Sequence, residues 1–348
     1  MDIGCAAPSK TACQTGDKRV SKAVNIADGQ GSLYISWKDQ LTGMAFAAPY
    51  LVGICIFLLF PLAMSLYYSF CDYSMLQPPL WIGLDNYRHL LTDDTFHIAL
   101  INTLIYAAIS VPCTLAWSIF LAILLNRQIR SQGIYRTIIF LPTLVPLVAT
   151  GIIWNWLFNS DSGLINYFLR PVLGLVGGIA AHVAAWLGAG PATLQALHDI
   201  SPPAWLGDPN WAMTAIIFVS FWGVGQTVVI FLAGLQDIPA ELYEAAQIDG
   251  AGSWGRLRHV TLPMLSPVIF FNLIMGIIGS WQFFDIPYVM TAGGPGRATL
   301  VYSLYLFNAA FNELRMGAAS AMAWILFLII LALTALAFWS AKKWVHYS

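Results

Sequence analysis

Four carboxylates stand close together in this sequence: Asp237, Glu241, Glu244 and Asp249. They belong to the segment from Gln236 to Pro267, which reads QDIPAELYEAAQIDGAGSWGRLRHVTLPMLSP. Pro239 suits the first turn of a helix, where its missing N–H costs nothing. Glu241 and Glu244 then fall near the positive end of the helix dipole. Ala245 and Ala246 favour the helix and leave a low, smooth surface. Gly250 and Gly252 can end it with a left-handed residue, and Pro263 limits the next helical turn. The chemistry on offer is recognition. A short helix with a small-residue patch lets a partner backbone approach, and its carboxylates can pair with partner arginines. An ordinary interfacial loop helix is the other reading of the same residues.

Other chemistries lack their residues. No glycine is followed by lysine, so the phosphate-binding loop G-x-x-x-x-G-K-[ST] does not occur. There is no H-E-x-x-H and no Cys/His spacing that suits a metal, so no metal or other cofactor is expected. The six histidines are scattered, mostly in loops. The five cysteines form no CxxC pair and read as small hydrophobes.

The elements that carry this loop follow from where charge is missing. Of the 348 residues, 58% are hydrophobic and 9% charged, against roughly 25% charged in a soluble domain. A soluble enzyme, a disordered chain and a basic nucleic-acid binder are therefore excluded. A spanning helix needs about 20 apolar residues. Six stretches qualify: Ala45–Tyr68, Ala99–Leu125, Thr137–Leu157, Ala212–Leu235, Leu265–Phe284 and Ala318–Ala341. Their continuity favours helices over alternating barrel strands. The fold class is thus an all-α membrane protein with about six spans.

With six spans and both termini inside, the cytoplasmic segments hold 12 basic residues and the outer segments 4. The positive-inside rule favours this arrangement. A seventh apolar stretch, Pro171–Gly188, would spoil the asymmetry if it crossed, so it is expected to be interfacial or re-entrant. Residues 1–40 read as a flexible cytoplasmic tail without a cleavable signal. Residues 41–348 form the six-helix domain, with an inner loop at 236–264 and a long outer loop at 158–211.

The inner loop carries a resemblance. Glu244-Ala245-Ala246, three residues, Gly250, nine residues and Val260-Thr261-Leu262-Pro263 look like the EAA signature. That signature marks permease subunits of binding-protein-dependent ABC importers, with Val260 here in place of the usual isoleucine. The flanking residues and the segment Tyr288-Val289-Met290-Thr291-Ala292-Gly293-Gly294-Pro295-Gly296 resemble the carbohydrate-uptake branch, similar to the maltose and glycerol-3-phosphate permeases. The likeness covers roughly residues 46–344. It implies a type I importer fold in the bacterial inner membrane and no enzymatic activity of the chain's own. It also implies a second permease (a different chain), two ATPase subunits and an outer solute-binding protein. Glu241, Glu244, Ala245, Ala246, Asp249, Gly250, Leu262 and Pro263 would then couple the chain to the ATPase.

If a sugar-like solute passes through, aromatic faces with polar edges near the span ends are the candidates for its path. These are Trp222 and Gln226 in the fourth span, Asn272, Trp281 and Gln282 in the fifth with Asp285 at its outer end, and Trp154, Asn155 and Trp156 in the third. Asn272 and Gln282 are expected near one helix face. Trp and Tyr also form interfacial belts. An ion-driven transporter would need intramembrane carboxylates or broken helices, and a membrane enzyme a nucleophile and base at depth. The spans offer no buried acidic residue and no histidine. A scaffold subunit that carries no solute is the third alternative.

Overall fold

The computed structural model describes residues 37–127, 130–187 and 201–346, with positions 190, 193 and 195. The expected tail lies outside the described residues as far as position 36. The chain divides into two compact units, one up to Leu62 and one from Ala63 onward. The first contains α1 (Trp37–Ile54), a π-helical turn (Cys55–Leu59) and the start of α2 (Phe60–Ser69). Together these give one apolar helix from Leu41 to Ser69.

The second unit opens with the rest of α2, followed by a short antiparallel hairpin, β1 (Cys71–Ser74) and β2 (Gln77–Trp81), the one β element among the described residues. Then come α3 (Asp85–Thr92), α4 (Asp94–Leu125), α5 (Gln132–Phe140), α6 (Leu147–Leu157), α7 (Leu164–Trp186), α8 (Pro209–Ser220) and α9 (Gly225–Gln236). The inner loop supplies α10 (Ala240–Ile248), α11 (Ser253–Arg256) and α12 (Leu262–Met264). The chain closes with α13 (Ser266–Trp281), α14 (Asp285–Met290), α15 (Tyr302–Phe307) and α16 (Met316–Ala341).

Among the described residues, five helices are long and apolar enough to cross a membrane, or seven if each of two bent pairs counts as one. The bent pairs correct the expectation of continuous third and fourth spans. The third bends by 99° between Gln132–Leu144 and Leu147–Leu157. Its sequence there is Pro142-Thr-Leu-Val-Pro146. Val145, forced out of the helical region by the following proline, takes φ −76° and ψ 126°. The fourth bends by 47° where Phe221-Trp222-Gly223-Val224 separates α8 from α9. Apolar composition alone conceals such breaks, because hydropathy does not register a missing backbone hydrogen bond.

Position 188 lies outside the described residues, while the stretch at 171–186 lies within one helix, α7, that is long and apolar enough to cross a membrane by length and composition. Asn166 anchors its start, accepting from Trp205 Nε1 at 2.7 Å and donating to the Ser160 carbonyl at 3.1 Å. Beyond that anchor, Phe168, Val172, Leu175, Ile179 and Val183 recur at helical spacing and are exposed. Such a stripe calls for hydrocarbon cover.

Among the described residues the second unit has four hydrophobic clusters, two of which lie at the two ends of α4. One joins the end of α4 to α9 and Leu265 through Ala122, Leu125, Val228, Phe231 and Leu235. The other joins the start of α4 to α15 and the start of α16 through Phe96, Tyr302, Leu304, Ala321 and Met322. Polar pins fix the turn before α15 to α4. Asn102 Nδ2 donates to the carbonyls of Arg297 and Leu300 at 2.9 and 3.1 Å. The Tyr302 N–H donates to Thr103 Oγ1 at 2.7 Å.

Asp93 caps α4, accepting from the Thr95 N–H at 2.8 Å, and it also accepts from the Tyr305 hydroxyl. Burial works against its charge, but these hydrogen bonds outweigh burial and hold the carboxyl below its ordinary value. The stability this adds is complete above the unfolded value of about 4 and is lost as pH falls through the lower folded value. Asp93→Ala should lower the melting temperature at neutral pH by the equivalent of about 1 kcal/mol, as for a lost cap. The difference from wild type should shrink on acidification below about pH 4. A constant difference across that range would contradict the assignment.

Candidate functional site

The inner loop is built around α10. Pro239 is its cap, with φ −58° and ψ 134°, so the helix begins one residue later at Ala240. Its end is closed in the Schellman manner. The Ala251 N–H reaches the Ala246 carbonyl at 2.9 Å, and the Gly250 N–H reaches the Gln247 carbonyl at 3.1 Å. Gly250 sits at φ +82°, the left-handed conformation expected of it. Gly252 is extended instead and caps α11.

None of the nine residues of α10 is buried. Glu241, Glu244 and Ala245 are exposed, as are Asp249 and Gly250 after it, while Ala246 is half-buried. Ile248 is 87% exposed at the helix end. One side chain ties the helix inward. The Tyr243 hydroxyl lies 3.1 Å from Oγ1 of the buried Thr261. Leu262 and Pro263 are half-buried in α12, where the Pro263 carbonyl accepts from Ser266 Oγ at 2.6 Å at the start of α13. The loop therefore presents a carboxylate-bearing knob on a fixed stem.

A second feature lies where the two bent spans meet. A cavity of about 400 Å³ is lined by Thr143, Thr150, Ser220, Trp222, Gln226 and Phe283, with neighbouring apolar residues. Trp222 and Gln226 thus come together. The other three pathway candidates do not join them. Asn272 is buried, and its amide turns back to the Val268 carbonyl at 2.9 Å. Trp281 is buried too, its carbonyl accepting from Ser303 Oγ. Gln282 is exposed and outside the cavity lining.

Thr143, Ser220 and Phe283 were missed from sequence. Phe283 stacks on Tyr106 with ring centroids 4.3 Å apart. The signal for the cavity was the pair of interrupted apolar runs, since broken helices mark solute sites in many transporters. Trp154 lines a separate, almost wholly apolar cavity of about 710 Å³ beside α7, while Asn155 and Trp156 are exposed.

Residues 114–345 match the family described as binding-protein-dependent transport system inner membrane component. The chain belongs to this family. It is a multi-pass membrane permease, a transport subunit and not an enzyme, and the family works with a solute-binding protein. The probable ABC transporter permease protein YesP of Bacillus subtilis is 38% identical over 89% of this chain and 93% of its own length. The lactose transport system permease protein LacF of Rhizobium radiobacter is 34% identical over 87% and 95%.

Among solved structures, a chain of a bacterial alginate ABC transporter, crystallised in complex with an alginate pentasaccharide-bound periplasmic protein, superposes with a TM-score of 0.69. The match covers 88% of this permease and 96% of that chain, at 22% identity. The fold is therefore that of an ABC importer permease.

Proposed function

We propose that this permease forms half of the translocation pathway for a sugar or sugar-like solute. The solute arrives from an outer binding protein, a second and different permease supplies the other half of the pathway, and two ATPase subunits drive the cycle. The ATPase engages α10 through Glu241, Glu244, Ala245, Ala246, Asp249 and Gly250, while Leu262 and Pro263 carry the movement into α13. The observation that carries this reading is the EAA spacing on an exposed, Schellman-closed helix stemmed onto Thr261. The sugar assignment is supported by relatives named for sugar transport, such as LacF. Both termini and the α10 loop face the cytoplasm, and α7 lies on the outer side, because only then do the basic residues divide 12 to 4.

The cavity at the two bends supports solute passage, since it sets an indole face beside an amide and hydroxyls. Trp222→Ala and Gln226→Ala should each weaken uptake about tenfold, chiefly through a raised apparent KM, because each removes contacts worth about 1–2 kcal/mol. The test is uptake of labelled mono- and oligosaccharides in a strain lacking the gene, complemented with each variant. Absence of any saccharide uptake with the wild-type chain and its gene neighbours would refute the sugar assignment. Unchanged KM in both variants would remove this cavity from the pathway.

A further inference from the structure

A cavity of about 610 Å³ lies behind the α10 loop, and no role assigned so far uses it. Its depth is set by the chain. Ile123 in its wall stands near the last residue of α4, Leu235 near the last residue of α9, and Thr261 just before α12 leads into α13. The cavity therefore opens where three spans end, which is the level of lipid headgroups.

Its charge is one-sided. Arg127 and Arg256 both line it, and no carboxylate does. Among the described residues neither arginine forms an ion pair. Glu241, Glu244 and Asp249 are exposed and absent from the lining. Asn126 and Ser253 add an amide and a hydroxyl that can donate to an anion, while the Tyr243 hydroxyl is engaged by Thr261 Oγ1, which itself donates to the Arg256 carbonyl. Trp254, at the rim, is 73% exposed, the placement of an interfacial anchor. Leu257 adds to the apolar wall of Ile123 and Leu235.

We propose that this cavity holds the headgroup of an anionic phospholipid. Its phosphate oxygens accept from Arg127 and Arg256, and its acyl chains leave along Ile123, Leu235 and Leu257. Basic pockets between span ends are recognised sites for such headgroups. Guanidinium groups suit phosphate through paired donors. The bound lipid would brace Tyr243, and with it α10, against the end of α4. The proposal does not depend on α10 docking to an ATPase, and the readout below is lipid binding and not transport.

The full-length protein, extracted in mild detergent, is assayed for retained phospholipid by mass spectrometry. In the double variant Arg127→Gln/Arg256→Gln, retained phosphatidylglycerol and cardiolipin should fall about tenfold or more. Arg258→Gln, exposed and outside the lining, should retain the wild-type amount. Wild-type protein is then delipidated and titrated with phosphatidylglycerol, phosphatidylcholine or inorganic phosphate while its melting temperature is followed. Only phosphatidylglycerol should raise it. Equal retention by the double variant would overturn the proposal, as would an equal response to phosphatidylcholine. A response to inorganic phosphate matching that to phosphatidylglycerol would instead show a soluble-anion site and also overturn it. If the double variant fails to fold, the wild-type titration decides.

Discussion

Gly250→Val is expected to cut solute uptake by at least about tenfold while leaving membrane insertion intact. The reason is confined to the backbone. Gly250 holds φ +82°, and nothing lies within 4 Å of where a Cβ would stand, so a side chain meets no obstacle there. A non-glycine residue in this conformation costs about 1–2 kcal/mol, and a β-branched one more. That strain falls on the two hydrogen bonds that close α10, from Ala251 to Ala246 and from Gly250 to Gln247. Their loss unwinds the last turn, which carries Ile248 and Asp249. Asparagine tolerates the left-handed region, so Gly250→Asn should restore most of the transport. Uptake at wild-type level in the valine variant would mean that the helix end plays no part in coupling.

Gly225→Val should have a comparable effect by a different route. A Cβ at Gly225 would come within 2.5 Å of the Ile139 carbonyl oxygen and 2.9 Å of the Phe140 Cα. Both are backbone atoms, so no rotamer change relieves the contact. Valine there forces α9 away from the end of α5 at a cost of about 1–3 kcal/mol, the usual range for overpacking. This is also where the two bent spans enclose Trp222 and Gln226. The variant should therefore lose both thermal stability and uptake. The matched control is Gly279→Ala, where nothing lies within 4 Å, and uptake should remain within about twofold of wild type. A Gly225→Val protein with normal stability would contradict the close approach of α9 to α5.

How much of this was legible in the sequence depended on the kind of signal. The apolar runs located α4 and α16, because span length is a property of consecutive residues. The inner loop was legible for a related reason: Pro239, the alanines and Gly250 act locally, and their order alone specifies a start, a helix and a left-handed stop. The bends were less visible. Pro142 and Pro146 stood in plain view, but they sit inside an apolar run that hydropathy reads as continuous. The pathway candidates divided along the same line. Trp222 and Gln226 lie at a bend and share a cavity. Asn272, on a straight helix, bonds its own backbone, and residue spacing could not reveal that choice between i−4 carbonyl and open space.

The central claim is that α10 is the knob through which a cytoplasmic ATPase grips this permease. Ile248, 87% exposed at its end, is the position to interrogate. A photoreactive amino acid placed there in intact cells and activated by light should form one major adduct, its partner an ATPase subunit identified by mass spectrometry. An adduct with the extracytoplasmic binding protein, or with lipid alone, would contradict the account.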